Sequence, residues 1–551
     1  MRNTWWLALA VLVGACTSAP STSPTAPGVT TTSSATTTTT LSTTTTASDS
    51  ETATLRVGTV VPSTSLDPAD AFTLGDWELL QAIGEGLLVR EPGNGSLIPG
   101  LAEDMPAVSD DGRTYTMRIP TDIEFADGLK LTAGLYVEGI ERVMRLGGRG
   151  SDLVSLFVES VEAPDDTTIV FHLHDGYAFF PTLLTMAPYL PIHPDTYPPD
   201  ELQPFPEAPV YGVGPWFIDS YSETELTLLA NPRYRGDRSI DRIVIRYFAD
   251  LEEMTTNLTN GDLDLAWRGV DAATADEVAA VEEITFEPAP GGTLHFLVVN
   301  HNRAPTDDHL VRQALAELID RDKISESVLM AGVDPTFSPV PGGFPGSTDS
   351  FLDVYGEPDV AAAIDLLTEA GYSETERAQL ELAYPPERFG VEMAAALEEM
   401  ELQIESTGLV DVTLTAQPWS SYVGDVVEGA YNVAFLGWIY DFPDPHNYLA
   451  PFVLNGGLGG SGENLEFPEL VGMIVEASVE HDPESREALY REIQLLYAQD
   501  VVTIPLWLDY EYVVYWDHVA GDPDLDNAAT LNVGATMQLD FRTLRIEADD
   551  S

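Results

Sequence analysis

Cysteine and lysine are almost absent from this sequence of 551 residues. Cys16 is the only cysteine, which excludes an intramolecular disulfide and any site built on a pair of cysteines. The two lysines are Lys130 and Lys323, against 90 acidic residues and a net charge of −65. The chain therefore has no cationic surface to neutralise the phosphates of a nucleic acid, which excludes nucleic acid as a partner. Such acidity is typical of a solvated surface in a halotolerant lineage, and attraction of cationic ligands is the functional alternative.

Motifs of enzymes and metal sites are missing as well. The sequence has no HExxH helix, no glycine-rich phosphate loop and no G-x-S-x-G elbow, since Gly460-Ser461-Gly462 lies in a loop-like glycine-rich stretch. His172 and His174 fall on one face of a predicted strand, but the run Val170 to Leu173 is typical of a core. We therefore predict no catalytic residue, no metal site and no cofactor.

The N-terminus has the pattern of a secretory signal. Arg2 precedes the apolar run Trp5 to Val13, which is shorter than the ~20 residues of a membrane span but right for the apolar region of a signal peptide. Val13-Gly14-Ala15-Cys16 resembles a bacterial lipobox, in which the cysteine is acylated and becomes the new N-terminus. The alternative is an ordinary signal peptide beside a buried cysteine. We expect residues 1–15 to be removed and Cys16 to anchor the protein at the extracytoplasmic face of the cell membrane.

Residues 16–52 are mostly Ser, Thr, Ala and Pro. They have no apolar periodicity, so we expect an extended tether that stands a globular body off the membrane. Glycosylation of this tether stays open.

The body alternates predicted strands and helices, which indicates the α/β class. The pattern predicts strands at Leu55 to Val61, Ile240 to Phe248, Val433 to Gly437 and Glu511 to Trp516. Thr132 is placed to cap a helix that runs to about Leu146. The hydrophobic share of 44% is enough for several packed cores.

An ordered series of short motifs runs through this body. Its members are Ser65-Leu66-Asp67-Pro68, Glu85-Gly86-Leu87, Pro99-Gly100-Leu101, Asp110-Asp111-Gly112, Gly212-Val213-Gly214-Pro215, Asn231-Pro232, Val311-Arg312-Gln313, Ile319-Asp320-Arg321, Ala370-Gly371-Tyr372 and Gly437-Trp438-Ile439-Tyr440-Asp441-Phe442-Pro443-Asp444-Pro445. The series resembles extracellular solute-binding protein family 5, which includes the oligopeptide-, dipeptide- and nickel-binding proteins of ABC importers.

This resemblance implies a two-lobed periplasmic-binding (Venus-flytrap) fold of the large peptide-binding type, with an extra small domain. Residues 53–90, 205–288 and 500–551 would form lobe I, residues 91–204 the inserted small domain, and residues 289–499 lobe II. A ligand that contacts both lobes has a higher affinity for the closed state and therefore closes them.

The resemblance also implies a ligand site around the last motif. Asp441 matches the aspartate that meets the free ammonium group of the ligand in peptide-binding members, and exclusion of water would strengthen that ion pair. The alternative is that Asp441 caps the following helix or pairs with an arginine. Asp444, just before Pro445, is favoured as a helix cap.

Aromatic side chains complete the predicted ligand contacts. Trp438 either stacks on the ligand or packs the lobe, and Tyr440 follows it towards Asp441. Trp419 and Tyr422 precede a predicted helix and are expected to line the same cleft. Phe337 lies in a proline-rich segment that borders the site in the family. An extended peptide is held mostly through its main chain, so few side chains reveal specificity.

The predicted function is therefore the binding component of an ABC importer. As a monomer it would capture a peptide and deliver it to the permease and ATPase complex. One alternative keeps the fold but binds a non-peptide solute such as an oligosaccharide, an opine or a metal chelate. Another is a surface ligand receptor for signalling.

Overall fold

The computed structural model describes most of the body of the chain. The described residues are 53–92, 95–270, 274, 278, 280–289, 293–329, 332–389, 391–454, 467–521 and 538–547. The predicted signal peptide, Cys16 and the tether of residues 16–52 lie outside them.

A seven-stranded mixed sheet gathers strands from three separate parts of the sequence. Its central strand Thr54–Thr59 pairs in parallel with Arg242–Tyr247 and with Leu265–Ala266, and the other pairings are antiparallel. The alternating residues Leu55 and Val57 of the central strand are buried, as expected for a strand covered by helices. The order of the sheet is Ile284–Ala289, Glu511–Trp516, Leu265–Ala266, Thr54–Thr59, Arg242–Tyr247, Glu225–Ala230 and Trp216–Tyr221.

A six-stranded sheet is built from the second half of the chain. Its strand Leu294–Val299 is buried at every residue and lies between two antiparallel neighbours. The order is Val333–Pro335, Thr503–Asp509, Leu294–Val299, Val433–Trp438, Ala378–Tyr384 and Val410–Ala416. The helices of this half are His309–Leu318, Arg321–Ser327, Ser350–Tyr355, Val360–Glu369, Pro386–Phe389, Val391–Glu405, Trp419–Val427, Pro445–Val453, Pro468–Val479 and Pro483–Asp500.

A smaller four-stranded sheet lies within residues 107–173. Its order is Ala107–Val108, Thr114–Arg118, Thr168–Leu173 and Val158–Glu162. The helix Ala133–Leu146 begins where predicted, because the Thr132 side chain accepts from the Leu135 N–H, and it ends at Gly147 with a φ of 65°. Smaller elements of the remaining chain are the strand pairs Leu88–Arg90 with Leu97–Pro99 and Val519–Gly521 with Leu544–Ile546, the helices Leu74–Ile83, Asp152–Ser155, Phe180–Leu183 and Leu251–Thr259, and the 3₁₀ turns Arg149–Ser151, Ala187–Tyr189 and Phe541–Thr543.

The chain crosses between the two large sheets at two neighbouring places. One crossing leads from Ile284–Ala289 to Leu294–Val299, and the other leads from Thr503–Asp509 to Glu511–Trp516 with only Tyr510 between the strands. The strand Thr503–Asp509 belongs to the six-stranded sheet, whereas the predicted limits assign residues from 500 onward to lobe I. Its antiparallel pairing with Leu294–Val299 is the physical reason for this difference.

Both lysine side chains are exposed to solvent. Lys130 is exposed in the segment between the strand Thr114–Arg118 and the helix Ala133–Leu146, and Lys323 is exposed on the helix Arg321–Ser327, where it pairs with Glu399. Among the residues that the structure covers, no helix has the length and apolar character needed to cross a membrane.

A buried ion pair fixes the motif around Asp67 to the helix Ala133–Leu146. Arg142 donates to both carboxylate oxygens of Asp67 at 2.8 Å, and both side chains are at most 3% exposed. We expect Asp67→Ala to lower the free energy of unfolding by about 3–5 kcal/mol, because it leaves the buried Arg142 charge with carbonyl partners alone and no counter-charge. Urea unfolding measures this effect.

An exposed pair of similar length provides the control. Arg113 and Asp175 are 2.9 Å apart with half of each side chain in solvent. Asp175→Ala should change the free energy of unfolding by less than about 1 kcal/mol. Equal losses in the two variants would contradict the role assigned to burial.

Candidate functional site

A cleft of about 1080 Å³ opens between the sheets. It is larger than the ~300–1,000 Å³ of most small-molecule pockets, so it has room for a short peptide. Its walls come from the helix Leu74–Ile83 and the hairpin that follows, from residues 343–345, from the loop 439–444, and from the start of the helix Pro483–Asp500. Glu287, Ala289 and Val513 of the seven-stranded sheet also line it, so this sheet and the loop that follows the strand Val433–Trp438 of the six-stranded sheet face the same cavity.

Tyr440 is the predicted site residue that lines this cleft. The buried strand Val433–Trp438 delivers it to the loop 439–444, and only 3% of the residue is exposed. Its ring packs edge-on against Phe344, another cleft residue, with 6.2 Å between the ring centres. Burial raises the pKa of Tyr440, while nearby Arg90 and Arg268 oppose the shift. The hydroxyl is therefore neutral at physiological pH.

Asp441 lies one residue behind this wall and is 8% exposed. Its N–H donates to Asn447 Oδ1 at 2.8 Å, and its Oδ2 accepts from Asn447 Nδ2 at 3.1 Å. Within the part of the chain that the structure describes, no cationic side chain pairs with it. Burial raises the pKa of Asp441 to about 7, and the hydrogen bond from Asn447 opposes this shift. The Asp441 carboxylate is therefore hydrogen-bonded to a neutral amide, and no cation of the described residues compensates its charge.

Asp444 takes the structural roles that were the alternative for Asp441. Its Oδ1 accepts from the N–H of His446, which confirms the predicted cap of the helix Pro445–Val453. Arg486 also binds both of its oxygens at 2.8 and 2.9 Å. Burial alone would raise the pKa of Asp444, but Arg486 and His446 together outweigh burial, and the net pKa lies below its ordinary value.

Trp438 packs within the lobe and does not line the cleft. Its ring meets Phe452 edge-on at 5.4 Å, and its Nε1 lies 3.4 Å from Asn447 Oδ1. Because Asn447 is the partner of Asp441, Trp438 helps to hold the group that orients that carboxylate. Of the two readings of Trp438, the structure shows packing.

The structure places three other predicted contacts outside the lining of the cleft. Tyr422 is fully buried, and its hydroxyl lies 2.9 and 2.8 Å from the carbonyl oxygens of Ala383 and Phe435. Trp419 packs beside Tyr422, and Phe337 lies under the guanidinium of Arg321 at 4.9 Å. The side chains of these aromatic residues pack against the six-stranded sheet and its helices, so their roles as ligand contacts stay predictions that the geometry does not support.

Arg90 is a cleft residue that the sequence reasoning missed. Its guanidinium donates to the carbonyl oxygens of Gly95 at 3.0 Å and of Pro443 at 3.2 Å. It thereby ties the hairpin after the first helix to the loop that carries Tyr440. Burial lowers its pKa, while Tyr440 and Asp444 oppose this. An arginine that follows an apolar strand gives no sequence signal for such a bridge.

Aromatic stacking joins the four-stranded sheet region to the same loop. Phe179 stacks on Phe442 at 5.0 Å and on His446 at 5.0 Å, with interplanar angles of 22° and 20°. The N–H of Ala178 also donates to the carbonyl of Ser478 at 2.8 Å. Burial lowers the pKa of His446 to about 4, so its ring is neutral where it stacks.

Comparison with known proteins decides the family. Residues 96–460 match the profile of the bacterial extracellular solute-binding proteins, family 5, middle region. The chain belongs to this family. Its members are solute-binding proteins that work with ABC permeases and ATPases, and the predicted resemblance is confirmed.

Individual relatives agree with this assignment. Protein XP55 of Streptomyces lividans is 30% identical, over 79% of this chain and 81% of that protein. The probable D,D-dipeptide-binding periplasmic protein DdpA of Escherichia coli is 22% identical, over 82% of this chain and 88% of that protein. The periplasmic murein tripeptide-binding protein MppA, in its unliganded open form, superposes with a TM-score of 0.77 at 20% identity, over 90% of this chain and 98% of that one. The predicted periplasmic-binding fold of the peptide-binding type is confirmed.

Titration of Asp441 gives a test of the site without any ligand. Its folded pKa of about 7 lies above the unfolded value of ~3.9, so the folded state binds more protons between these values. Protonation of the Asp441 carboxyl therefore stabilises the folded state. This stabilisation is fully present below the unfolded pKa and is lost as pH rises through the folded pKa. We expect Asp441→Asn to raise the melting temperature at pH 8 and to change it little at pH 4.

Exposed Asp219 provides the control for this pH dependence. Asp219→Asn should leave the melting temperature nearly unchanged at both pH values. An equal effect of Asp441→Asn at pH 4 and pH 8 would show that the Asp441 carboxyl titrates normally.

Proposed function

We propose that this protein captures peptides outside the membrane and delivers them to an ABC permease and ATPase complex. The observation that carries the proposal is Asp441, a buried carboxylate beside a peptide-sized cleft whose only hydrogen-bond partner among the described side chains is the neutral Asn447. An N-terminal ammonium group supplies the missing cation. Its arrival stabilises the ionised carboxylate, because an ion pair is stronger where water is excluded.

The neighbouring ion pair supports this assignment. Arg486 neutralises Asp444, three residues further on, so the loop contains one satisfied carboxylate and one that awaits a cation. A ligand without a cationic group would leave Asp441 buried and uncompensated, which is unfavourable. The loop therefore discriminates in favour of ligands with a free amine.

Lobe closure follows from the composition of the cleft walls. We assign the seven-stranded sheet to lobe I and the six-stranded sheet to lobe II, with the limit of the last segment moved from residue 500 to Tyr510. The small domain keeps its predicted limits of 91–204. A ligand in the cleft contacts both lobes, so its affinity is higher in the closed state and its binding shifts the population towards closure.

The choice of peptides rests on the cleft and on the relatives. DdpA is named for D,D-dipeptides and MppA for a murein tripeptide. Main-chain hydrogen bonds to an extended peptide need few dedicated side chains. Within this proposal the protein binds its ligand unchanged and has no catalytic role.

Peptide binding is tested with tripeptides and their N-acetylated counterparts. Isothermal titration calorimetry should detect binding of free tripeptides, and acetylation should weaken it by about 2–5 kcal/mol because the ammonium group is lost. Asp441→Asn should weaken binding of free peptides to a similar extent and affect acetylated peptides much less.

Glu487→Gln is the matched control, since Glu487 lines the cleft but pairs with Arg491. It removes the same charge and should leave both affinities nearly unchanged. Equal binding of free and acetylated peptides would refute the ammonium role of Asp441. Native mass spectrometry of the freshly purified protein separates a peptide from an oligosaccharide, an opine or a metal chelate.

The N-terminus completes the proposal. We assign Cys16 as a lipid-modified N-terminus and residues 16–52 as the tether, so that a monomeric body stays close to its permease. Acylation of the single cysteine explains its position after the apolar run. The lipid holds the body at the extracytoplasmic face of the cell membrane.

Lipid anchoring is tested by membrane fractionation of cells that express the full chain. The wild type should sediment with membranes and be released by detergent, whereas Cys16→Ser should appear in the soluble extracytoplasmic fraction. Mass spectrometry should find a diacylglyceryl group on the N-terminal peptide of the wild type. A soluble, unmodified wild-type protein would contradict the anchor.

A further inference from the structure

The segment of residues 83–86 has its backbone fixed by close contact with neighbouring backbone. Gly214 donates its N–H to the Ile83 carbonyl at 2.8 Å, and Leu101 donates to the Gly86 carbonyl at 2.9 Å. A Cβ atom on Gly100 would lie 2.6 Å from the Gly86 oxygen. Only glycine permits backbones to approach this closely. Glu85 is thus presented from a rigid support, which is the condition for a precise binding group.

The side chain of Glu85 points into the cleft and is partly buried. Within the described residues it makes no hydrogen bond and no ion pair. Six other carboxylates that line the cleft have donors within the described residues. Glu78 accepts from Trp267 and Arg268, Glu287 from Tyr515, Glu480 from the N–H of Asp482, Asp444 from Arg486, Glu487 from Arg491 and Asp540 from Arg542.

The charges around Glu85 do not compensate for the missing hydrogen bond or ion pair of its carboxylate. Burial raises its pKa, and the charges of Arg235 and Arg542 oppose the shift only in part. Arg542 is engaged with Asp540, where its Nε lies 2.8 Å from Oδ1, and Arg235 is exposed to solvent. A partly buried carboxylate without a donor is unfavourable for the fold alone, because it has lost part of its hydration without gaining a partner.

We propose that Glu85 binds a cationic side chain of the ligand, an ammonium or a guanidinium group, and so makes the cleft selective for peptides that contain a basic residue. This inference rests on the proposed peptide-binding function. Glu85 lies on the wall of lobe I, whereas Asp441 belongs to lobe II. A ligand with a free N-terminus and a basic side chain therefore places one cation on each lobe, and both ion pairs form only when the lobes close around it.

The test compares lysine with norleucine, which has nearly the same shape but no charge. The probes are the tripeptides Lys-Ala-Ala, Ala-Lys-Ala and Ala-Ala-Lys with their norleucine counterparts, measured by isothermal titration calorimetry. The wild type should prefer lysine by about tenfold or more at one position at least, a ratio that corresponds to ~1.4 kcal/mol. Glu85→Gln should bring this ratio close to one and leave norleucine peptides unaffected.

Glu223→Gln removes an exposed charge that does not line the cleft and should keep the lysine preference. The melting temperature of unliganded Glu85→Gln should not fall, because the substitution removes an unpaired carboxylate. A lower melting temperature with an unchanged lysine ratio would instead assign Glu85 a structural role.

The outcomes separate this inference from the proposed function. If tripeptides bind but lysine and norleucine are equivalent at every position, or if Glu85→Gln keeps the preference, the inference is wrong and peptide binding stands. If no tripeptide binds the wild type, the proposed function fails and the selectivity fails with it.

Discussion

The Arg486 guanidinium donates hydrogen bonds to both carboxylate oxygens of Asp444. This pair holds the loop 439–444 against the helix Pro483–Asp500. The same carboxylate caps the helix Pro445–Val453, so one charged group fixes the loop at its end and the helix at its beginning. With this pair in place, the cleft wall at Tyr440 is rigid. It also leaves Asp441 as the carboxylate of the loop that no arginine satisfies, and the proposed chemistry of the cleft depends on that difference.

The binding properties of the cleft thus depend on which charged side chains are paired and not on how many there are. In a chain with 90 acidic residues, the presence of a carboxylate does not by itself indicate a binding site. Most carboxylates that line the cleft already accept a hydrogen bond from a donor of the protein. Asp441 and Glu85 stand apart because each is partly or fully removed from water without a cation. Glu85 lines the cleft and Asp441 follows Tyr440 directly behind the wall that the loop 439–444 forms, so ligand recognition is linked to the relative position of the two sheets.

Local structure was predictable where short-range chemistry decides it. The Thr132 cap, the Asp444 cap and the strand Glu511–Trp516 follow from hydrogen bonding or apolar alternation within a few residues. The placing of Tyr422 was not predictable, because sequence alone does not tell which face of a helix meets a sheet. Arg90 was missed for another reason: its partner carbonyl at Pro443 is more than 350 residues away in sequence.

The scarcity of lysine has a practical consequence for measuring motion in this molecule. The two lysine side chains, Lys130 and Lys323, are exposed on different parts of the body, one just before the helix Ala133–Leu146 and one on a helix of the six-stranded half. Dyes that react with amines would label these two positions without any engineering, provided that the terminal amine is blocked. Under the proposed limits, the distance between the two dyes reports movement of the small domain, which carries Lys130, relative to lobe II, which carries Lys323.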